Sequence, residues 1–270
     1  MMGNIKIEIN PAYENLRPEI ERIIFETIKG KDIAFLSDKK AKFLPKGGAY
    51  IYEGRNHLFR IDVRNTDENG ATPVVVKDFK RPNLLNRYVY TTLRKSKARR
   101  SFENALKMEQ LGFGTPSPVA YCEVKRKGAL LWSFYVSVEL EGVSEMRRWE
   151  EKPEVDTLLP AFAEEIWRLH QAGVWHKDFS PGNVLYRRMA DGNYKFYHVD
   201  LNRMKFDVHD RRRQMRMFRA INLNAAEIER LARLYARVSG KDEEATVRQA
   251  LDALEGYFRE QRMKGKKGCR

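Results

Sequence analysis

One stretch of the chain carries residues whose types and order could do chemistry: His176-Lys177-Asp178-Phe179-Ser180-Pro181-Gly182-Asn183. Asp178 could accept or orient the proton of an attacking hydroxyl. Asn183, displaced from it by a Ser-Pro-Gly turn, offers a neutral oxygen to Mg2+. A carboxylate and an amide aimed at one place suit phosphoryl transfer better than hydrolysis by paired carboxylates. A second acid, Asp200, ends the apolar, aromatic run Tyr194-Lys195-Phe196-Tyr197-His198-Val199, where a further metal-binding carboxylate would be needed. Upstream, Val74-Val75-Val76-Lys77 ends a β-branched run in a cation that could meet phosphate oxygens. His176 reads as structural, packed near the metal-binding acid, and His57, His170, His198 and His209 lack metal-ligand spacing.

Elements of the right kind must hold these residues. Leu16, Ile20, Ile23, Ile24 and Ile28 form a helical stripe, which predicts a helix from about Tyr13 to Thr27 ended by Lys29-Gly30-Lys31. From Ala49 to Asp78 short β-branched and aromatic runs alternate with Gly54-Arg55-Asn56 and Asn65–Gly70, predicting a three-strand antiparallel meander that delivers Lys77. A helix follows from Ser96 to about Leu111, with Phe102, Ala105, Leu106 and Leu111 as core candidates, stopped by Gly112-Phe113-Gly114-Thr115-Pro116. It carries Glu103 and Glu109, the candidates to fix the direction of Lys77, and helical periodicity alone turns Glu109 inward. Strand signals return at Val119–Val124 and Leu130–Leu140. Helical periods then dominate, through Leu158, Phe162, Ile166 and Leu169, through Ile228, Leu231, Leu234 and Tyr235, and through Leu251, Leu254 and Phe258. Strands gathered early and helices late give an α+β chain of two lobes, residues 1–139 and 140–270, joined near Glu139–Gly142.

Composition excludes several classes. Two cysteines, Cys122 and Cys269, cannot make a disulfide framework or a paired-Cys zinc site, and fit a reducing compartment. No apolar core of signal-peptide length opens the chain, and no window reaches the ~18 apolar residues of a membrane span. A cytoplasmic protein, or one bound peripherally to a membrane, is expected. The 51 Lys+Arg against 37 Asp+Glu, a net charge of +14, point to an anionic partner. Much of that charge lies in Arg94–Arg100, Arg211–Arg216 and the tail Arg262–Arg270. Cations at the start of the Glu103 helix oppose its dipole, which points to a role other than helix stability. No stacking-aromatic pattern supports a nucleic-acid partner.

Strand lysine, helix carboxylate, His-x-Asp-x4-Asn and strand aspartate, in that order, are similar to the set found in protein kinases. Val75–Pro82, Leu111–Tyr121, His176–Asn183 and Val199-Asp200-Leu201-Asn202-Arg203 together resemble the lipopolysaccharide kinase family, the Kdo/heptose kinases of lipid A–core biosynthesis, with the likeness running from about residue 45 to 235. That resemblance implies a bilobal protein-kinase-like fold, with a β-rich N-lobe and a helical C-lobe. It implies transfer of the γ-phosphate of ATP to a Kdo or heptose hydroxyl on a lipid A–core glycolipid, at the cytoplasmic face of the inner membrane. Lys77 would bind phosphate, Asp178 would be the base, and Asn183 and Asp200 would hold Mg2+. Glu103, at the distance from the helix stop seen in small-molecule kinases, would orient Lys77, and the backbone of Glu139-Leu140-Glu141 would meet adenine. The basic clusters would meet acceptor phosphates and an anionic membrane surface.

Three departures qualify the likeness. No Gly-x-Gly-x-x-Gly precedes Lys77, so Gly47-Gly48 and Gly54 are the glycines left to cover phosphates. Lys177 stands where protein kinases often have Arg. After Asp200 the chain reads Leu-Asn and runs straight into a basic helix, without Ala-Pro-Glu or a long activation segment, which favours a small or glycolipid acceptor. The alternatives are an atypical Ser/Thr protein kinase lacking the activation segment, and a catalytically silent kinase fold used as a basic binding module.

Overall fold

Period-two alternation organises the part of the chain that carries Lys77. In β4 (Ala71–Asp78), Val74, Val76 and Asp78 are buried on one face, which turns Lys77 to the other. Its neighbours are β3 (His57–Arg64), which pairs in turn with β2 (Ala49–Glu53), and β6 (Ala129–Val138), which pairs with β5 (Pro118–Arg126). With β1 (Asn4–Ile9) beside β5, these make a six-stranded antiparallel sheet in the order β1-β5-β6-β4-β3-β2. The computed structural model describes residues 4–37, 42–65, 70–83, 89–90, 94–221 and 224–263. It divides into two compact units, Met1–Gln110 with Pro116–Glu141, and Leu111–Thr115 with Gly142–Arg270.

In the first unit a helix covers each face of the sheet, which is why β5 and β6 are buried on both sides. α1 (Arg17–Ser37) lays Ile20, Ile23, Ile24 and Ile28 against Phe59, Ile61, Val74, Val76 and Phe134. α2 (Lys97–Gln110) packs Ala98 and Phe102 on Tyr121 and Phe79 over the opposite face. The three-strand meander thus forms where its spacing predicts. Residues 66–69 of its second turn lie outside the described residues, as do residues 264–270 of the basic tail with Cys269.

The first helix departs from the sequence reading at both ends. Pro11–Leu16 is a 3-10 turn, capped by the Asn10 side chain, which accepts from the Ala12 N–H at 3.2 Å and donates to the Pro118 carbonyl at 2.8 Å. The α-helix then runs through Lys29-Gly30-Lys31 to Ser37. Gly30 is not a stop: a Cβ there would fall 2.1 Å from the Phe43 ring, so the missing side chain makes room for a phenyl group. Lys31 is not a solvated end but a buried cation, 6% exposed, ion-paired to Asp78, which is 4% exposed. Its Nζ also lies 4.3 Å from the centre of the Trp132 ring. β1 was not expected either, although Ile5, Ile7 and Ile9 alternate with Lys6 and Glu8 as an edge strand should.

The second unit is mostly helical. α3 (Val155–Gln171) buries Leu158, Phe162, Ile166 and Leu169. α4 (Arg211–Ala220), α5 (Ala225–Ser239) and α6 (Glu243–Met263) follow. A full capping box, with Asn224 and Glu227 bonding each other's backbone, starts α5, and Gly240 in the left-handed region ends it. Strands are not confined to the first half of the chain, because β7 (Ser144–Glu145), β8 (Val184–Arg188) and β9 (Tyr194–His198) form a small antiparallel sheet here. Leu111–Thr115 joins that sheet: the Gly114 carbonyl accepts from the His198 N–H at 2.9 Å, and the Thr115 hydroxyl donates to the His198 carbonyl at 2.9 Å. A Cβ on Gly114 would stand 2.2 Å from the Phe196 carbonyl oxygen, so only glycine fits.

The Lys31–Asp78 pair yields a stability test. Removing one partner of a buried pair strands the other charge and typically costs about 3–5 kcal/mol. Lys31→Met should therefore lose stability of that order in urea denaturation. Adding Asp78→Asn should recover much of it, and a single variant as stable as the parent would refute the pairing.

Candidate active site

The first unit presents Lys77 opposite Tyr135 of β6, on the face covered by α2, with its Nζ 5.4 Å from the centre of the Phe79 ring. Glu103 of α2 accepts from Lys95 Nζ at 2.7 Å and from Arg99 Nε at 2.8 Å. These two cations hold its carboxyl below the usual range against the opposing effect of burial. Part of the Arg94–Arg100 cluster is therefore matched within its own helix, and the Arg99–Glu103 spacing of four residues is the signal for it. Ser96 caps that helix, its hydroxyl accepting from the Arg99 N–H at 3.1 Å. Glu109 acts on the residue across from Lys77: burial first, and then the Glu109 charge, push the Tyr135 phenol up. Gly54 lies in the β2–β3 turn, where its N–H donates to the Asn56 carbonyl at 3.2 Å. At the other end of the unit, the Glu139 N–H donates to the Pro73 carbonyl at 2.9 Å and its carboxylate accepts from Arg60 Nε at 2.6 Å. Leu140 and Glu141 complete the segment, and the unit ends after Glu141.

The second unit holds the remaining groups, and there the sequence motif becomes a hydrogen-bonded loop. Phe179 is fully buried, stacked at 5.8 Å on Phe162 of α3 and at 6.0 Å on His198 at the end of β9, so its neighbour Asp178 is anchored from below. The Asn183 amide donates to the Asp178 carbonyl at 2.8 Å, closing the loop on itself. His176 bridges it to the next element: Nε2 bonds the Val199 carbonyl at 3.0 Å, and Nδ1 accepts from the Asp178 N–H at 3.2 Å. The Val199 N–H donates in turn to the Asn183 carbonyl at 3.0 Å, which brings Asp200 beside the loop. Burial pushes the His176 imidazole down to about 4, so it is neutral at pH 7, as a ring that both donates and accepts must be.

Asp200 takes a left-handed backbone, φ 56° and ψ 47°, a conformation that aspartate tolerates better than most residues. Asn202 donates to its Oδ1 at 2.6 Å, filling with a side chain the position where protein kinases have glycine. Glu165 of α3 and His198, both buried, bond at 2.9 Å and fix the strand that leads to Asp200, with Arg168 on the second Glu165 oxygen at 2.8 Å. One contact has no counterpart in the sequence reading: Arg203 donates to Asp178 Oδ1 at 2.7 Å. Its place in the Asp-Leu-Asn-Arg run marked it, but only the fold shows what it touches.

Asn183 and Asp200 suit Mg2+. With the Asn183 amide N–H committed to the loop, its carbonyl oxygen is the donor atom for a metal, and Asp200 adds a carboxylate. No group of three or more His, Cys, Asp or Glu residues gathers as a metal cluster among the described residues. Two hard oxygen ligands fit a cation that takes its other ligands from water and phosphate.

A sequence model described as "Lipopolysaccharide kinase (Kdo/WaaP) family" matches residues 80–256, a span that contains Glu103, Asp178, Asn183 and Asp200 but not Lys77. No curated protein matches the chain. Among solved structures, WaaP in complex with acyl carrier protein is similar at 18% identity and a TM-score of 0.57, over 96% of this chain and 98% of that one. The Rio2 kinase–ADP/Mg2+–phosphoaspartate complex from Chaetomium thermophilum matches at 15% identity and a TM-score of 0.49, over 90% and 77%. The first of these likenesses shows a protein-kinase-like fold.

The buried histidine carries a pH test. A folded-state value near 4, against 6.5 for the free side chain, means that the unfolded chain binds the extra proton. The stabilisation is therefore full above about pH 6.5 and is lost as pH falls toward 4, by up to about 3 kcal/mol from this group. Denaturation midpoints measured across that range should fall with acid, and less steeply in His176→Asn.

Proposed function

The chain belongs to the lipopolysaccharide kinase (Kdo/WaaP) family and is thus a phosphotransferase acting on a sugar hydroxyl; from that premise we propose that it transfers the γ-phosphate of ATP, with Mg2+, to a Kdo or heptose hydroxyl of the lipopolysaccharide inner core. The carrying observation is the loop in which Asp178, Asn183 and Asp200 are tied through the backbone of Val199. Asp178 takes the proton of the acceptor hydroxyl as its oxygen forms a bond to the γ-phosphorus. The bond from that phosphorus to the β–γ bridging oxygen breaks, and ADP leaves. Lys77 binds phosphate oxygens, Asn183 and Asp200 hold the metal, and the Glu139–Glu141 backbone meets adenine. Bound there, Mg2+ would neutralise charge that develops on the phosphates. Glu103 orients Lys77 once it yields one of the cations it now carries, Glu109 being the other carboxylate on that helix.

The short course after Asp200 supports a glycolipid acceptor. Only a 3-10 turn, Leu201–Arg203, and the Trp175–Lys205 bridge precede α4 at Arg211, which leaves no platform for a peptide. No helix among the described residues is long and apolar enough to cross a membrane. We propose peripheral attachment to the cytoplasmic face of the inner membrane, supported by the exposed Arg212, Arg213 and Arg216 of α4. The structure of WaaP with acyl carrier protein adds that carrier to the proposed partners.

With labelled ATP, Mg2+ and Kdo-lipid A or a heptosylated acceptor, the protein should label the glycolipid. Asp178→Ala should slow transfer about 10²–10⁴-fold, and Asp200→Ala should abolish Mg-nucleotide turnover with the fold intact. Labelling of protein in place of glycolipid would overturn the acceptor assignment. Binding to anionic vesicles should weaken steeply between low and high salt; salt-insensitive binding would remove the basic helix from that role.

A further inference from the structure

The contact between Arg203 and Asp178 is at odds with a simple base. Asp178 Oδ1 receives Arg203 at 2.7 Å, so an oxygen that would meet the acceptor hydroxyl is already engaged by a guanidinium. Nothing buries this pair, since the side chains are 44% and 31% exposed, so packing does not require it. A guanidinium carries five N–H donors in a planar fork, and among the described residues Asp178 is the one hydrogen-bond acceptor of Arg203. Arg203 is exposed, so its remaining donors are open to an incoming group.

A second guanidinium rests on the same loop. Arg147, 69% exposed and held by Glu145 at 2.6 Å, places its Nη2 where a Cβ of residue 182 would stand, so Gly182 makes room for it. Lys177, next to Asp178, is exposed as well. Arg203 and Arg147 thus bring cations from two other segments onto the short loop that carries Asp178 and the exposed Lys177. Cations so placed are useful when the incoming molecule is itself anionic.

We propose that Arg203 is the acceptor-specificity residue: it receives an anionic oxygen group, carboxylate or phosphate, carried by the acceptor beside the reactive hydroxyl, and thereby leaves Asp178 to the hydroxyl proton. This rests on the phosphotransferase reading above and narrows its substrate class to anionic sugars. An acceptor without the anion leaves Arg203 on the base, so selectivity and activation of Asp178 come from one exchange of partners.

The test compares Kdo-lipid A with two modified forms, one with its sugar carboxyl reduced to an alcohol and one with its phosphates removed. Wild-type protein should lose about 10- to 100-fold in kcat/KM on whichever form lacks the recognised group, the range expected for one charge-assisted contact. Arg203→Gln should lose a similar factor on the intact acceptor and no longer distinguish it from that form. Arg203→Lys, which keeps the charge without the fork, should fall between. Equal loss of kcat on all three acceptors, with the wild-type ratios preserved, would show that Arg203 only steadies Asp178 and would overturn the inference while leaving the kinase reading intact. Wild-type transfer to none of the three would overturn the acceptor reading and this inference with it.

Discussion

The backbone of Val199 is the joint on which the catalytic half-site depends. Its carbonyl accepts from His176 and its N–H donates to the Asn183 carbonyl. Asp200 follows directly in the chain, so these two bonds fix it against the loop that carries Asp178. The arrangement requires a neutral imidazole with a defined tautomer. Nδ1 accepts from the Asp178 N–H, and a protonated ring would set donor against donor there. Burial enforces neutrality, so the apolar packing of Phe162, Phe179 and His198 around the loop acts on its chemistry as well as on its shape.

In the first unit the corresponding constraint is strand alternation. Lys77 and Asp78 are adjacent but oppositely charged, and the pleat sends them to opposite faces. Asp78 goes under α1 and is neutralised by Lys31, while Lys77 goes to the α2 face. A register slip of one residue would exchange them and put Lys77 into the apolar layer. The buried pair sets register in a way that an apolar pair in the same place would not, because only one alignment lets Asp78 meet its cation.

What could be read in the sequence was what local spacing determines. Asp178 and Asn183 lie within one turn-rich loop, and Lys77 ends a β-branched strand, so residue types and intervals single them out as candidates. Membership of the family and the α+β division followed from the same runs. The misreadings share a different cause. Gly30 resembles a helix stop because the reason for it, the Phe43 ring, comes from another segment. Lys31 resembles a solvated end because its partner is distant in the chain. Arg203 has no role legible in its motif, since its contact with Asp178 exists only after the turn following Asp200 has folded back. The Arg99–Glu103 pair, by contrast, is readable from its helical interval, and it neutralises part of the charge that the cluster's total would offer to a membrane.

The replacement of glycine by Asn202 bears on regulation. In the Asp-Phe-Gly form of this element, glycine gives the backbone freedom after the metal-binding acid. Here the positive φ falls on Asp200 itself, and Asn202, buried, returns a hydrogen bond to its carboxylate. Freedom has been exchanged for a tether. The next residues form a 3-10 turn and a backbone bridge to Trp175, and α4 begins at Arg211, so the chain has neither the length nor the loose end that a swinging activation segment needs. On the reading proposed for Arg203, selectivity then resides in a side chain that touches Asp178 rather than in a flexible segment.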